Sequence, residues 1–206
     1  MRMQIVSRYA QHGYTLIEVL LALTLSSVLL AVMVASFINQ RKTYAIQEEV
    51  AAMMQNGMAG LDLMKREIMM IGYDPTATAG AGIVAATANS LQFTMDLNGD
   101  GDLGDTEENV TYALYDPDAD GDQDLGRTVD GATQLVAENI DSMSLTYTLA
   151  DGTTTTTPTA AELSQIRLVE VSLTSRTARP DPQYPTHGGY RTQLLTMAIH
   201  LRNLED

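Results

Sequence analysis

The chain has 206 residues, with 12 Lys and Arg against 26 Asp and Glu, a net charge of −14 at pH 7, and no cysteine. Such an acid surplus argues against a nucleic acid partner, whose phosphates select basic surfaces, and the missing thiol excludes both a disulfide frame and cysteine chemistry. The length suits one long helix plus one globular domain of ordinary size.

The first stretch, MRMQIVSRYAQHG, carries Arg2 and Arg8 and no acid, so the positive-inside bias places it on the cytoplasmic side and sends the bulk outward. From Val19 to Ile38 there is no charged residue; a helix of that length spans about 30 Å, the hydrocarbon thickness of a bilayer. A secretory signal has its apolar region ahead of the cut, whereas here the small residue Gly13 precedes the apolar run, so cutting there retains the helix.

Gly13-Tyr14-Thr15-Leu16-Ile17-Glu18 followed by an apolar helix resembles the prepilin class III signal of type IV pilins and pseudopilins. The resemblance implies a leader over residues 1–13, removed after Gly13 by a membrane-embedded prepilin peptidase, and N-methylation of Tyr14, where the family usually has Phe. It also implies that Glu18 meets the N-terminal amine of a neighbouring subunit. Independently of the resemblance, a carboxylate in a bilayer is costly and by default functional and paired. The alternative is that Glu18 lies at headgroup level and pairs with its own amine.

Beyond the membrane segment 14–38, apolar or small residues at Ile46, Val50, Met53, Gly57, Leu61, Met64, Ile68 and Ile71 recur in steps of three and four and share one helix face. Gly72 and Pro75 are stop signals. One helix is therefore expected from Tyr14 to about Ile71, with an amphipathic continuation over 39–72 and with Met53, Met54, Met58, Met64, Met69 and Met70 in the core. The stretch from Gln40 through RKTY, QNG, LDLMKRE and IGYDP, together with the closing RTQLLTMAIHLRNL, resembles the PilW-type minor pilins.

Over 73–206 the period becomes two: Leu91, Phe93 and Met95, then Val110, Tyr112 and Leu114, then Met143, Leu145, Tyr147 and Leu149 alternate with polar residues. With 166–174 and 195–201 this makes about five strands. The expected fold class is α+β, a long N-terminal helix packed on an antiparallel β-sheet, which is pilin-like.

Two acidic loops interrupt the strands. In 96–107, Asp96, Asn98 and Asp100 occupy positions 1, 3 and 5 of a twelve-residue calcium loop, Gly101 the turn, Asp102 the backbone position and Glu107 position 12, with Asp105 or Glu108 as substitutes for Glu107. In 116–127, Asp116, Asp118, Asp120, Asp122 and Asp124 repeat the pattern, but position 12 is Arg127, so Asp130 or a water would have to complete it. The expectation is one or two calcium ions; the alternative for both loops is a solvated, Asx-turn-rich tip.

The three histidines, His12, His187 and His200, are scattered, and no nucleophile, zinc or phosphate-loop spacing occurs. A non-enzymatic protein follows. The resemblance implies a minor pilin of a type IV pilus, held in the bacterial inner membrane by one pass and then built into a surface filament, for assembly priming or as part of a tip complex. Its implied partners are other minor and major pilins, prepilin peptidase and the inner-membrane assembly platform. The alternatives are a minor pseudopilin of type II secretion and a calcium-dependent adhesion module displayed on the pilus.

Overall fold

The computed structural model describes residues 13–117 and 121–204. The expected leader therefore lies outside the described residues except for Gly13, as do Asp118 and Asp120. The chain divides into two compact units, residues 1–46 and 47–206.

One helix, α1 (Leu16–Ile68), is followed among the described residues by nine strands: β1 (Ile83–Ala86), β2 (Ser90–Thr94), β3 (Asn109–Tyr115), β4 (Asp124–Val129), β5 (Ala132–Ala137), β6 (Ile140–Leu149), β7 (Thr154–Thr155), β8 (Ile166–Arg176) and β9 (Thr192–His200). They form two antiparallel sheets, a five-stranded meander in the order β1-β2-β3-β4-β5 and a four-stranded sheet in the order β7-β6-β8-β9. The expected fold class, a long N-terminal helix packed on antiparallel β-structure, is present. Where one sheet of about five strands was expected there are two. Alternation identifies a buried face but not the sheet to which the face belongs.

In the first unit the helix is exposed on all sides, with Leu21, Leu25, Leu29 and Phe37 more than half accessible. An 18-residue window of mean hydropathy 2.4, with nothing buried, makes it long and apolar enough to cross a membrane. Two hydroxyls within it bond back to their own helix, Thr24 to the Leu21 carbonyl (2.8 Å) and Ser27 to the Thr24 carbonyl (2.8 Å). They therefore leave no unsatisfied donor for lipid to accommodate.

In the second unit the same helix becomes one-sided. Met53, Gly57, Gly60, Leu61, Met64 and Ile68 are buried, the face that the three-and-four spacing predicts. Met54 and Met58 do not join the core and are 38% and 52% exposed, because they fall between the turns of that stripe. The two glycines allow close approach: a Cβ on Gly57 would stand 2.8 Å from Leu195 Cδ1 of β9, and one on Gly60 would stand 3.1 Å from the Ala137 Cβ of β5. So Gly57 seats the helix on one sheet and Gly60 on the other.

The helix stops at Ile68 rather than Ile71. Ile71 is still fully buried, but Gly72 takes a left-handed φ of 76° and donates its N–H to Thr94 O (3.2 Å), turning the chain into the first sheet. The core then closes over Phe93, Tyr112, Leu125, Ile140, Leu145, Tyr147, Val171 and Leu173, all fully buried. Tyr147 meets its hydroxyl requirement by donating to the Thr87 carbonyl (2.8 Å).

Candidate functional site

At the N-terminal end, Thr15 and Glu18 form a reciprocal cap. The Glu18 N–H donates to Thr15 Oγ1 (3.3 Å), while Glu18 Oε2 accepts both the Thr15 N–H (2.8 Å) and the Thr15 hydroxyl (2.9 Å). This is a capping box, Thr-x-x-Glu, which satisfies two donors that a helix start otherwise leaves unpaired. The four-residue pattern Thr15-Leu16-Ile17-Glu18 is itself the sequence signature of that cap. Tyr14 is 87% exposed, and among the described residues nothing lies within 4 Å of a Cβ placed on Gly13. Tyr14, Glu18, Val19, Ala22, Leu23 and Ser26 line a shallow groove of about 500 Å³ with one carboxylate at its end.

The first acidic loop is folded by its own acids. Asp96 is fully buried and accepts the N–H groups of Gly99 (2.6 Å) and Gly101 (3.1 Å); both glycines have positive φ. Glu108, 1% exposed, closes the loop by accepting the Leu97 N–H (2.9 Å) and the Asp105 N–H (3.3 Å). Glu107, assigned to position 12, instead has a left-handed φ of 73° and lies 3.8 Å from Arg127. The closing carboxylate is thus its neighbour Glu108.

Asp100, Asp102 and Asp105 are gathered, each offering an oxygen within 4.8 Å of the others. The Asn98 amide donates to Asp100 (3.0 Å) and Asp105 (2.6 Å). For Asp105 that amide lowers the pKa, but Asp100 and Asp102 beside it, with some desolvation, raise it on balance. Two oxygens that are each 2.3–2.6 Å from one calcium ion lie no more than about 5 Å apart, so these three carboxylates fit a single ion.

The second acidic stretch is different. Asp124 to Arg127 belong to β4, paired with β3 and β5, so 116–127 is not one loop. Asp122 is ion-paired to Arg176 (2.9 Å), whose guanidinium stacks 4.4 Å above the Tyr190 ring, and Asp124 accepts the Asn139 N–H (2.9 Å). Asp116 is exposed. Asp130 sits at the other end of β4, where with Asp105, Gln92 and Asn109 it lines an open cleft of about 420 Å³. Among the described acids of this stretch, Asp122 is engaged by a protein cation and Asp124 by a backbone donor.

Arg127, the twelfth residue of that stretch, lies in a buried cluster that no local pattern announces. Its Nε donates to both Glu67 oxygens (2.9 and 3.0 Å), and the Tyr112 hydroxyl donates to Glu67 Oε2 (2.7 Å). Burial, then the hydrogen bond to Glu67 and its charge, push the Tyr112 phenol well above its ordinary range. The three residues come from α1, β3 and β4, so only the tertiary fold brings them together.

In sequence, no curated protein matches the chain. A type IV-like pilin from Thermus thermophilus is similar in structure, with a TM-score of 0.45 and 14% identity, covering 77% of this chain and 98% of that one. Residues 8–34, which include the start of α1, match the prokaryotic N-terminal methylation motif.

Proposed function

We propose that the protein is a type IV pilin-like structural subunit, not an enzyme, and within that class a PilW-type minor pilin that works with other pilins in priming assembly or in a tip complex. The observation that carries this reading is the coincidence of the methylation motif at 8–34 with a fully exposed apolar helix whose only acid, up to Ile38, is Glu18. Such a helix is unstable in water and is covered either by a bilayer or by like helices. In this reading prepilin peptidase cuts after Gly13 in the inner membrane, and the assembly platform then lifts the subunit into the filament.

Mass spectrometry of appendages sheared from cells tests this. The expected result is a methylated peptide beginning at Tyr14, far scarcer than the major pilin. Processed protein confined to membranes would replace the minor pilin with a type II secretion pseudopilin, and an intact Met1 would overturn the processing reading.

We further propose that the 96–108 loop holds one calcium ion through Asp100, Asp102 and Asp105. The gathering of three carboxylates with a raised Asp105 pKa supports it, since the crowding of like charge is what a divalent cation relieves. Only one ion is proposed, because Asp122 and Asp124 are otherwise engaged.

With calcium at about a hundred times its Kd, stabilisation is about 2.7 kcal/mol, which raises the Tm of a domain this size by roughly 5–10 °C. Melting the full chain in detergent with calcium and with chelator is expected to show that shift. Asp100→Asn with Asp105→Asn is expected to remove it; Asp96 is left intact because it folds the loop. Identical wild-type melts would reject the site.

A further inference from the structure

The cleft between the first acidic loop and the β4–β5 turn is built by three parts of the fold. Its floor is one row of the first sheet's outer face, in which Gln92 of β2 pairs with Thr111 of β3, and Thr111 with Thr128 of β4. All three are half-buried, and neighbouring strands set them about 4.8 Å apart. One wall is the 103–105 segment, held by the Gly104 N–H donating to Asp102 (2.8 Å) and the Asp105 N–H donating to Glu108 (3.3 Å). The other is the two-residue turn Asp130-Gly131, where both residues take a left-handed φ, 53° and 78°. Asp-Gly suits such a tight hairpin turn, and here it brings Asp130 to the cleft.

The hydrogen-bonding capacity of this lining is only partly used. Gln92 Nε2 donates to Asn109 Oδ1 (3.0 Å), which engages one half of each amide. The Gln92 Oε1 acceptor and the Asn109 Nδ2 donors are left with no partner among the described residues, as are the Thr111 hydroxyl and the Asp130 carboxylate. Thr128 shares a hydrogen bond with Thr133 (2.8 Å). Half-buried polar groups in this state are met by water, which a ligand displaces without loss if it reproduces the same bonds.

The lining also selects the chemistry of that ligand. It contains no lysine, arginine or histidine, and Asp105 and Asp130 make it negative, so an anion is repelled. Leu103 is its one apolar residue, too little for an apolar ligand to be buried against. A cation offers donors alone and would oppose the Asn109 amide donors. A hydroxyl both donates and accepts, which is what this mixture of free donors and acceptors requires.

We propose that the cleft binds one unit of a neutral saccharide. Its adjacent hydroxyls donate to Asp130 and Gln92 Oε1 and accept from Asn109 Nδ2 and Thr111. The cleft is open, at about 420 Å³, so a unit at the end of a longer glycan can enter. This adds a binding activity to the structural role proposed above and does not rest on it. Nor does it rest on calcium, since Asp100 and Asp102 lie outside the lining.

The test is capture of the full chain, in a zwitterionic detergent without sugar headgroups, on three immobilised probes. These are neutral glycans ending in hexose, deoxyhexose or N-acetylhexosamine, sulfated glycans, and polylysine. The expected result is capture on a neutral glycan and on neither charged probe, with competition by the matching free monosaccharide. Thr111→Val keeps the shape and strand propensity of the side chain, and Asn109→Ala alters an exposed position. Each is expected to weaken capture about tenfold, the effect of one lost hydrogen bond, whereas Ser144→Ala, exposed on the second sheet, leaves it unchanged. Capture on no neutral glycan, capture on a charged probe instead, or capture that Thr111→Val and Asn109→Ala both retain in full would overturn the proposal.

Discussion

Glu67→Ala is expected to destabilise the second unit by about 3–5 kcal/mol, the cost of leaving a buried charge without its partner. The Arg127 side chain is 7% exposed, and its remaining anion, Glu107, is 3.8 Å away and more than half exposed. Tyr112 loses its acceptor at the same time. Since domains are stable by only about 5–15 kcal/mol in total, the loss should appear as a large fall in the denaturant midpoint of the full chain in detergent. Replacing the pair together, Glu67→Leu with Arg127→Met, is expected to recover most of it, because the desolvation cost disappears along with the attraction. A loss below about 1 kcal/mol for Glu67→Ala would show that water reaches the guanidinium after all.

Glu18→Ala is expected to leave the protein cleaved and inserted but absent from sheared filaments. Two effects combine in that substitution, the loss of the capping box and the loss of the charge that, in the proposed function, meets a neighbour's freshly cut ammonium. Glu18→Gln separates them, since glutamine still accepts the Thr15 donors but carries no charge. Exclusion of both variants, read by immunoblot of sheared and membrane fractions, assigns the role to charge. Normal entry of Glu18→Gln would reduce Glu18 to a cap, and normal entry of Glu18→Ala would remove it from assembly altogether.

Most of what proved legible in the sequence was periodic. The helix face at Met53, Gly57, Leu61, Met64 and Ile68 followed from three-and-four spacing, and β2, β3, β6, β8 and β9 from alternation, because each has one wet and one dry side. β4 was missed because Asp124, Leu125, Gly126 and Arg127 are buried in succession, which leaves no alternation and lets the acids read as metal ligands. β5 was missed for the opposite reason, its first four residues being exposed on both faces. At the sites, Asp100, Asp102 and Asp105 lie close together in the loop where the spacing put them, while the substitute Glu108, not Glu107, closes it. A spacing rule borrowed from a loop between helices does not fix side-chain direction when a strand begins two residues later. Glu67, Arg127 and Tyr112, separated by 45 and 60 residues from α1 to the sheet, had no sequence signal at all.

The seating of α1 also sets an order of events for a chain delivered across a membrane. The β-meander pairs its strands in chain order and can form as each hairpin emerges, since contacts local in sequence close quickly. The helix end cannot settle in the same way: Gly57 waits for Ser175 and Leu195, and the Ile71 carbonyl is met by the side chain of Asn203, 132 residues away. Until residue 203 has been released, the buried stripe of α1 has no second wall and its methionines and leucines stay open to chaperones and proteases. Exposure of this stripe therefore marks a chain whose second sheet is not yet in place.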